Sequence, residues 1–200
     1  MKKSGLVGGM GPESTIPYYH DIVYGVQQAL GKPSFPELTI ESVNVFKVLK
    51  LCSEKKYDEL AEYLMDAIHN LAESGVDFAA LSANMPHIVF DRLKDQSPIP
   101  LISIVEAACE EGIQVVIPPE SEMELINEKI SNELELGIVK EETLSYFQKV
   151  ISRMKDEDGI EAIVLGCTEL PLLLNDEVSS VPCLDTMQIH IRSIIKTILD

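Results

Sequence analysis

Apolar runs rich in β-branched residues alternate along this chain with segments whose apolar positions recur at helical spacing, and that alternation marks an α/β protein. SGLVGG reads as a first strand, followed by a helix from about Glu13 to Leu30 that Gly31 and Pro33 terminate. ELTIESVN reads as a second strand. In YDELAEYLMDAIHNLAESG, the residues Leu60, Ala61, Leu64, Ala67, Ile68, Leu71 and Ala72 keep the i, i+3, i+4, i+7 rule, so they form one buried stripe on a helix that Gly75 ends. VDFAALS is then a third strand. Pro98 and Pro100 punctuate the chain before LISIV and a short helix at 105–111, and IQVVIP at 113–118 reads as the next strand. A charged helical stretch covers about 119–135, and another runs over 141–155 with Leu144, Phe147, Val150, Ile151 and Met154 as its stripe. The chain closes with the strand IEAIVLG, a short VPCLD strand and a terminal helix. Strands that are continuously apolar rather than alternating belong to a parallel sheet covered on both faces.

Composition narrows the function classes. The 200 residues, 46% hydrophobic, suit one large domain or two small lobes. A formal charge of −17 with no basic cluster argues against nucleic acid or an anionic membrane surface as partner. The amino-terminal apolar stretch is short and broken by glycines, and no segment approaches the ~20 apolar residues of a membrane span, so a cytoplasmic protein is expected. Cys52, Cys109, Cys167 and Cys183 are irregularly spaced with no CxxC pair, which predicts free thiols rather than a zinc or dithiol centre, and no metal is expected.

An internal repeat gives the chain a second layer of order. GVDFAALSAN from Gly75 lies over GIEAIVLGCT from Gly159 at an offset of 84, with Leu81 opposite Leu165. Each copy follows a long amphipathic helix and ends in small residues before a polar loop. Strand ends of this kind are where parallel α/β sheets place ligands, and two of them facing each other would suit proton transfer on opposite faces of one carbon. At that offset Cys167 falls opposite Ala83, and Thr168 opposite Asn84.

GLVGGMGPESTIPYYHDIV, LSANMPHIVFD and AIVLGCTELPLLL, together with the closing VPCLDTMQIH, resemble the successive signature segments of the aspartate/glutamate racemases, the cofactor-independent amino-acid racemases. The resemblance implies two pseudo-symmetric α/β lobes with the site between them, commonly in a homodimer, and a pair of cysteines that remove and return the α-proton of an acidic amino acid. The second cysteine corresponds to Cys167. The first belongs to a Cys-Asn-Thr-x-His motif matched here by Ala83-Asn84-Met85-Pro86-His87, so Asn84 and His87 agree while Ala83 and Met85 depart. Ser82 is one residue off register and should point to the other side. A βα segment of about 30 residues that normally precedes the second lobe's GIxVVIP strand has no counterpart. The expected organisation is a first lobe at 1–99 with a carboxy-terminal helix at 186–200 packing back on it, and a second, shortened lobe at 100–185.

The residues themselves leave alternatives. Cys167 is either the surviving proton-transfer residue, assisted by amides at the start of a helix after Pro171, or a structural thiol. Glu169 orients a neighbour, takes a proton or serves as a solvated cap. His87 is an orienting or capping residue, with acid–base work the other option. Asn84 and Thr168 suit carboxylate binding or plain turn chemistry. The glycines of GGMGPEST allow close backbone approach, and the helix opening at Glu13-Ser14-Thr15 favours an anion. Lys47 and Lys50 are either cationic anchors or solvated. The expected substrate contacts are therefore Gly9, Met10, Asn84, Met85, Thr168 and Glu169, with His87 and Ala83 in support. The expected function is an amino-acid racemase homologue acting on aspartate or glutamate and impaired by Ala83. The alternatives are an inactive paralogue that binds a small carboxylate or amino acid, and a one-base lyase or isomerase.

Overall fold

The computed structural model describes residues 1–109, 115–167 and 169–200, and the chain divides into two compact units, Met1–Glu110 with Met187–Asp200, and Glu111–Thr186. The first unit is built on four parallel strands in the order β2-β1-β3-β4: β1 Ser4–Gly8, β2 Leu38–Ser42, β3 Phe78–Leu81 and β4 Leu101–Ile102. The alternation of side chains along a strand splits the apolar run between two cores. Leu6, Phe78 and Ala80 enter one with Tyr18, Ile22 and Val26 of α1 (Pro12–Leu30) and Met187, Ile191, Ile194 and Ile198 of α8 (Thr186–Leu199). Val7, Ala79 and Leu81 enter the other with Leu60, Leu64, Ile68 and Leu71 of α3 (Tyr57–Glu73).

Helix ends follow the sequence signals. Gly31 adopts φ 63° and donates its N–H to the carbonyls of Gln27 and Gln28, closing α1. Two further helices carry no periodicity long enough to announce them, α2 Val45–Ser53 and α4 Phe90–Gln96. The first has a local signal, since the Asn44 side chain accepts from the N–H groups of Phe46 and Lys47 as an N-cap. Within LISIV, Leu101 and Ile102 form β4, and Ser103 then caps α5 (Ile104–Cys109) through the N–H groups of Val105 and Glu106.

The second unit is smaller. α6 (Glu120–Asn132) and α7 (Glu141–Arg153) precede a two-stranded parallel sheet of β5 (Ile163–Leu165) and β6 (Cys183–Asp185). Phe147 and Ile151 of α7 pack with Leu165, Leu173, Leu174 and Val181. Arg153 ties the helices together, pairing with Glu122 at 2.7 Å and Asp158 at 3.0 Å. The repeat is visible in the backbone: Gly75 (φ 75°) and Gly159 (φ 69°) both end the segment before a strand, and the strands end at Leu81 and Leu165.

The two sheets differ where the sequence is short. β3 has β1 on one edge and β4 on the other, whereas β5 has β6 alone among the described residues. The strand expected at 113–118 is not formed in its described part: 115–119 has no regular structure, with Val115 and Ile117 each 68% exposed. Residues 113 and 114 lie outside the described residues. The physical reason is that, among the described residues, no strand pairs with it: a cavity separates it from the open edge of β5, and a strand is stabilised by its pairing. An apolar cavity of about 820 Å³ lies along this edge, lined by Val115, Ile117, Val150, Met154, Ile163 and Val164. No helix among the described residues is long and apolar enough to cross a membrane.

Ile191, buried between α8 and α1, sets the docking of the terminal helix. Ile191→Ala is expected to cost about 2–5 kcal/mol by urea unfolding followed by far-UV circular dichroism. A loss under about 0.5 kcal/mol, the size of an ordinary surface change, would mean that α8 does not complete this core.

Candidate active site

The carboxyl ends of β1 and β3 in the first unit are stitched together by small polar residues. Ser82 is fully buried; its N–H and its Oγ both donate to the Val7 carbonyl, at 3.0 and 3.1 Å. Ser14 Oγ donates to the carbonyls of Gly11 (2.9 Å) and Ser82 (3.2 Å), and Thr15 Oγ1 lies 3.4 Å from Ser82 Oγ. Ser82 is thus committed to the backbone of β1 and the first turn of α1. The hydroxyls of Ser14 and Thr15 are spent on the turn itself, while the side chains of Pro12 and Glu13 lie outside the described residues.

Gly9 is held at φ 80° by the bond from its N–H to Thr15 Oγ1 (2.9 Å), and a Cβ there would lie 2.4 Å from the Val43 carbonyl oxygen. Met10 turns its side chain into the core around α3, so a ligand contact from this position would come from its backbone. Ala83 belongs to the same core at 7% exposure, while Asn84 is half-buried and Met85 is 48% exposed. Lys47 lies 3.7 Å from the centre of the Tyr63 ring, whose hydroxyl accepts the Asn44 N–H, and Lys50 pairs loosely with Glu54.

His87 occupies a defined tautomer. The backbone N–H of Ile104 donates to Nε2 at 3.2 Å, so the ring proton sits on Nδ1 and is donated to the Ala83 carbonyl at 2.9 Å. Burial is the main cause that pushes His87 below the usual histidine range, and its ring stacks on Phe90 with centroids 4.8 Å apart. The sequence reading assigned no role to His190, which meets His87 edge-on at 6.4 Å. His190 donates from Nε2 to the Ile102 carbonyl (3.1 Å) and accepts from the Tyr18 hydroxyl at Nδ1 (2.8 Å). A single histidine inside the apolar stripe Met187, Ile191, Ile194, Ile198 was the available signal.

In the second unit β5 ends at Leu165, whose carbonyl accepts from Thr186 Oγ1 at 3.0 Å. Gly166 and Cys167 follow, and the Cys167 thiol donates to Glu169 Oε2 at 2.9 Å. Cys167 is half-buried and unbridged, as are Cys52 and Cys183; burial pushes both of those thiols up. Thr168 and the Cys109 side chain lie outside the described residues. The chain around Pro171 forms only a three-residue 3₁₀ turn, Leu170–Leu172, and the helix expected after Pro171 is not formed. So short a turn aligns too few peptide dipoles to stabilise a thiolate in the manner of a helix N-terminus. The Glu169 carboxylate faces the sulfur, which suits accepting its proton. No cluster of three or more His, Cys, Asp or Glu side chains suited to a metal ion occurs among the described residues.

A parallel α/β protein with glycine turns, small hydroxyls and a thiol–carboxylate couple at its strand ends is of the kind that binds small polar molecules there. The chain belongs to the Asp/Glu/hydantoin racemase family, whose model matches residues 7–114 and 110–194. It is 23% identical to the broad specificity amino-acid racemase RacX of Bacillus subtilis, covering 98% of this chain and 97% of that protein. That alignment extends over 230 residues against a chain of 200, so at least 30 of its positions have no residue of this chain opposite them. Among solved structures it is similar to a Yersinia pestis protein assigned to the Asp/Glu racemases (28% identity, TM-score 0.92) and to an aspartate racemase homologue of Pyrococcus horikoshii (30%, TM-score 0.86). In both comparisons all of each chain is covered.

The tight turn at Gly9 is testable apart from chemistry. A side chain at φ > 0 costs about 1–2 kcal/mol wherever it stands, and at Gly9 the added Cβ also meets the backbone of Val43. Gly9→Ala is therefore expected to lower stability more than Gly31→Ala, where φ is also positive but nothing lies within 4 Å. Equal shifts of the two melting temperatures would show that the Gly9 turn is not closely packed.

Proposed function

We propose that this chain is an amino-acid racemase homologue that handles aspartate, glutamate or a closely related carboxylate, with Cys167 as its remaining proton-transfer residue. The observation that carries the reading is the hydrogen bond from the Cys167 thiol to Glu169. Glu169 takes the thiol proton, the thiolate removes the α-proton of the substrate, and the electron pair is held as an enolate. Return of the proton from the same sulfur restores the original configuration with solvent exchange. Inversion needs a donor on the opposite face, which the family resemblance assigns to the position that is Ala83 here. Backbone amides near Gly9 and Met10, with Asn84, Met85 and Thr168, serve the substrate's carboxylates. No cofactor is needed for these steps. A homodimer in the cytoplasm with no nucleic-acid or membrane partner belongs to the same proposal.

The experiment is α-proton exchange of L- and D-aspartate and glutamate in D2O, followed by proton NMR and chiral chromatography. Exchange is expected to exceed inversion. Glu169→Gln should slow exchange by about 10²-fold or more, the usual contribution of a positioned base, and Cys167→Ser should lower it at least as far. Exchange that survives Cys167→Ala would remove the thiol from the mechanism.

Ala83 lies in the core around α3, which favours a second reading, a paralogue that binds its carboxylate without turning it over. Calorimetric binding with no exchange would select it. Ala83→Cys is expected to raise inversion without restoring it fully, because the absent βα segment would also have supplied ligand contacts. Full activity from that one substitution would show the shortening to be harmless.

A further inference from the structure

We propose that His190 and His87 form a positioning pair that clamps the turn Ala83–Met85, and that the clamp closes only while both rings are neutral. Its use in catalysis rests on the reading of Asn84 as a substrate contact. The clamp itself rests on the geometry of the first unit.

His87 holds the two carbonyls that flank Asn84. Its ring Nδ1–H donates to the Ala83 carbonyl, and its backbone N–H donates to the Asn84 carbonyl at 3.0 Å. Its other ring nitrogen accepts the first amide of α5, so one imidazole joins the β3 loop to the start of the next helix. His190 fixes the far side. It packs edge-on against His87, donates to Ile102 two residues before that amide, and is itself oriented by the Tyr18 hydroxyl of α1. The four ring nitrogens thus carry two donors and two acceptors, an arrangement that uses each tautomer once.

A proton added to His87 must go to Nε2, where it would meet the Ile104 N–H head-on. A proton added to His190 must go to Nδ1 in a fully buried site. Among the described residues few charges stand near enough to offset either cost. Glu106 of α5 faces His87 and favours its charged form, His190 and His87 oppose each other's charging, and Tyr18 is the titratable group of α1 at the pair. Burial outweighs these influences and leaves His190 at about 4. Because the closed form binds protons more weakly than the open one, acid favours opening. The clamp is complete above about pH 6.5, the ordinary histidine value, and is released as pH falls from there toward about 4.

The test is an NMR titration of the ¹⁵N-labelled full chain, which reads the clamp whether or not the protein turns over a substrate. In the unmodified chain the amides of Asn84, Met85 and Ile104 are expected to move in step with the His87 ring below about pH 6.5, and the Ile104 amide to lose exchange protection. His87→Gln supplies one donor and one acceptor without titrating in that range. It should keep those amides near their neutral positions and remove their response to acid. His190→Phe keeps the ring volume but not the bond to Ile102, and should displace the His87 ring and Asn84 signals at neutral pH. Amides of Asn84 and Ile104 that stay flat through the His87 titration would overturn the proposal, as would an acid response in His87→Gln equal to that of the unmodified chain. A His190→Phe spectrum with His87 and Asn84 unmoved would remove His190 from the pair. If α-proton exchange fails while the titration behaves as described, the clamp stands and the catalytic reading falls.

Discussion

Parallel pairing is the constraint from which the rest of this structure follows. Within each unit it points every strand the same way, so the turns after the strands gather at one edge of the sheet. In the first unit that edge collects Gly9, Asn44, Ser82 and Ala83. In the second it collects Gly166, Cys167 and, after β6, Thr186. Helices must then cover both faces, which accounts for the split of the first unit's interior into two cores and for the return of α8 to cover one of them.

The same constraint explains what shortening does to the second unit. A parallel strand next to β5 requires a crossover segment, and the alignment with RacX is at least 30 positions longer than this chain. The apolar residues Val115, Val116 and Ile117 keep their strand-like composition but have no ladder to join, and they remain exposed beside the cavity at the β5 edge. The buried core of this unit is instead carried by Phe147 and Ile151 of α7, Leu165 of β5, and Leu173, Leu174 and Val181 between β5 and β6, with Arg153 bracing α6 through Glu122.

Much of the fold was legible because long periodic segments declare themselves. The stripes of α3 and α7, the glycine stops at Gly31 and Gly75, and the strands within VDFAALS and IEAIVLG were readable from spacing alone, the strands ending one residue earlier than read, at Leu81 and Leu165. What was not legible depended on partners that local sequence does not specify. α2 and α4 are too short for a periodicity argument, and only the Asn44 cap hinted at the first. Residues 115–118 look like a strand and are not one, because pairing is a property of the neighbour. At the site, the motif residues Cys167, Glu169, Asn84 and His87 were readable as candidates, and the step from thiol to carboxylate needed coordinates. A helix dipole was expected to act on Cys167, but only one 3₁₀ turn follows it. His190 was hidden by looking like one more position of an apolar stripe.

The central claim is that the Cys167 sulfur, with Glu169 as its proton acceptor, is where an amino acid reacts. A crystal structure of the protein soaked with aspartate tests it most directly. The account predicts the α-carbon of the bound amino acid within about 3.5 Å of Sγ, the separation of groups poised to react. Aspartate bound with its α-carbon well away from that sulfur, or absent at saturating concentration, would contradict it.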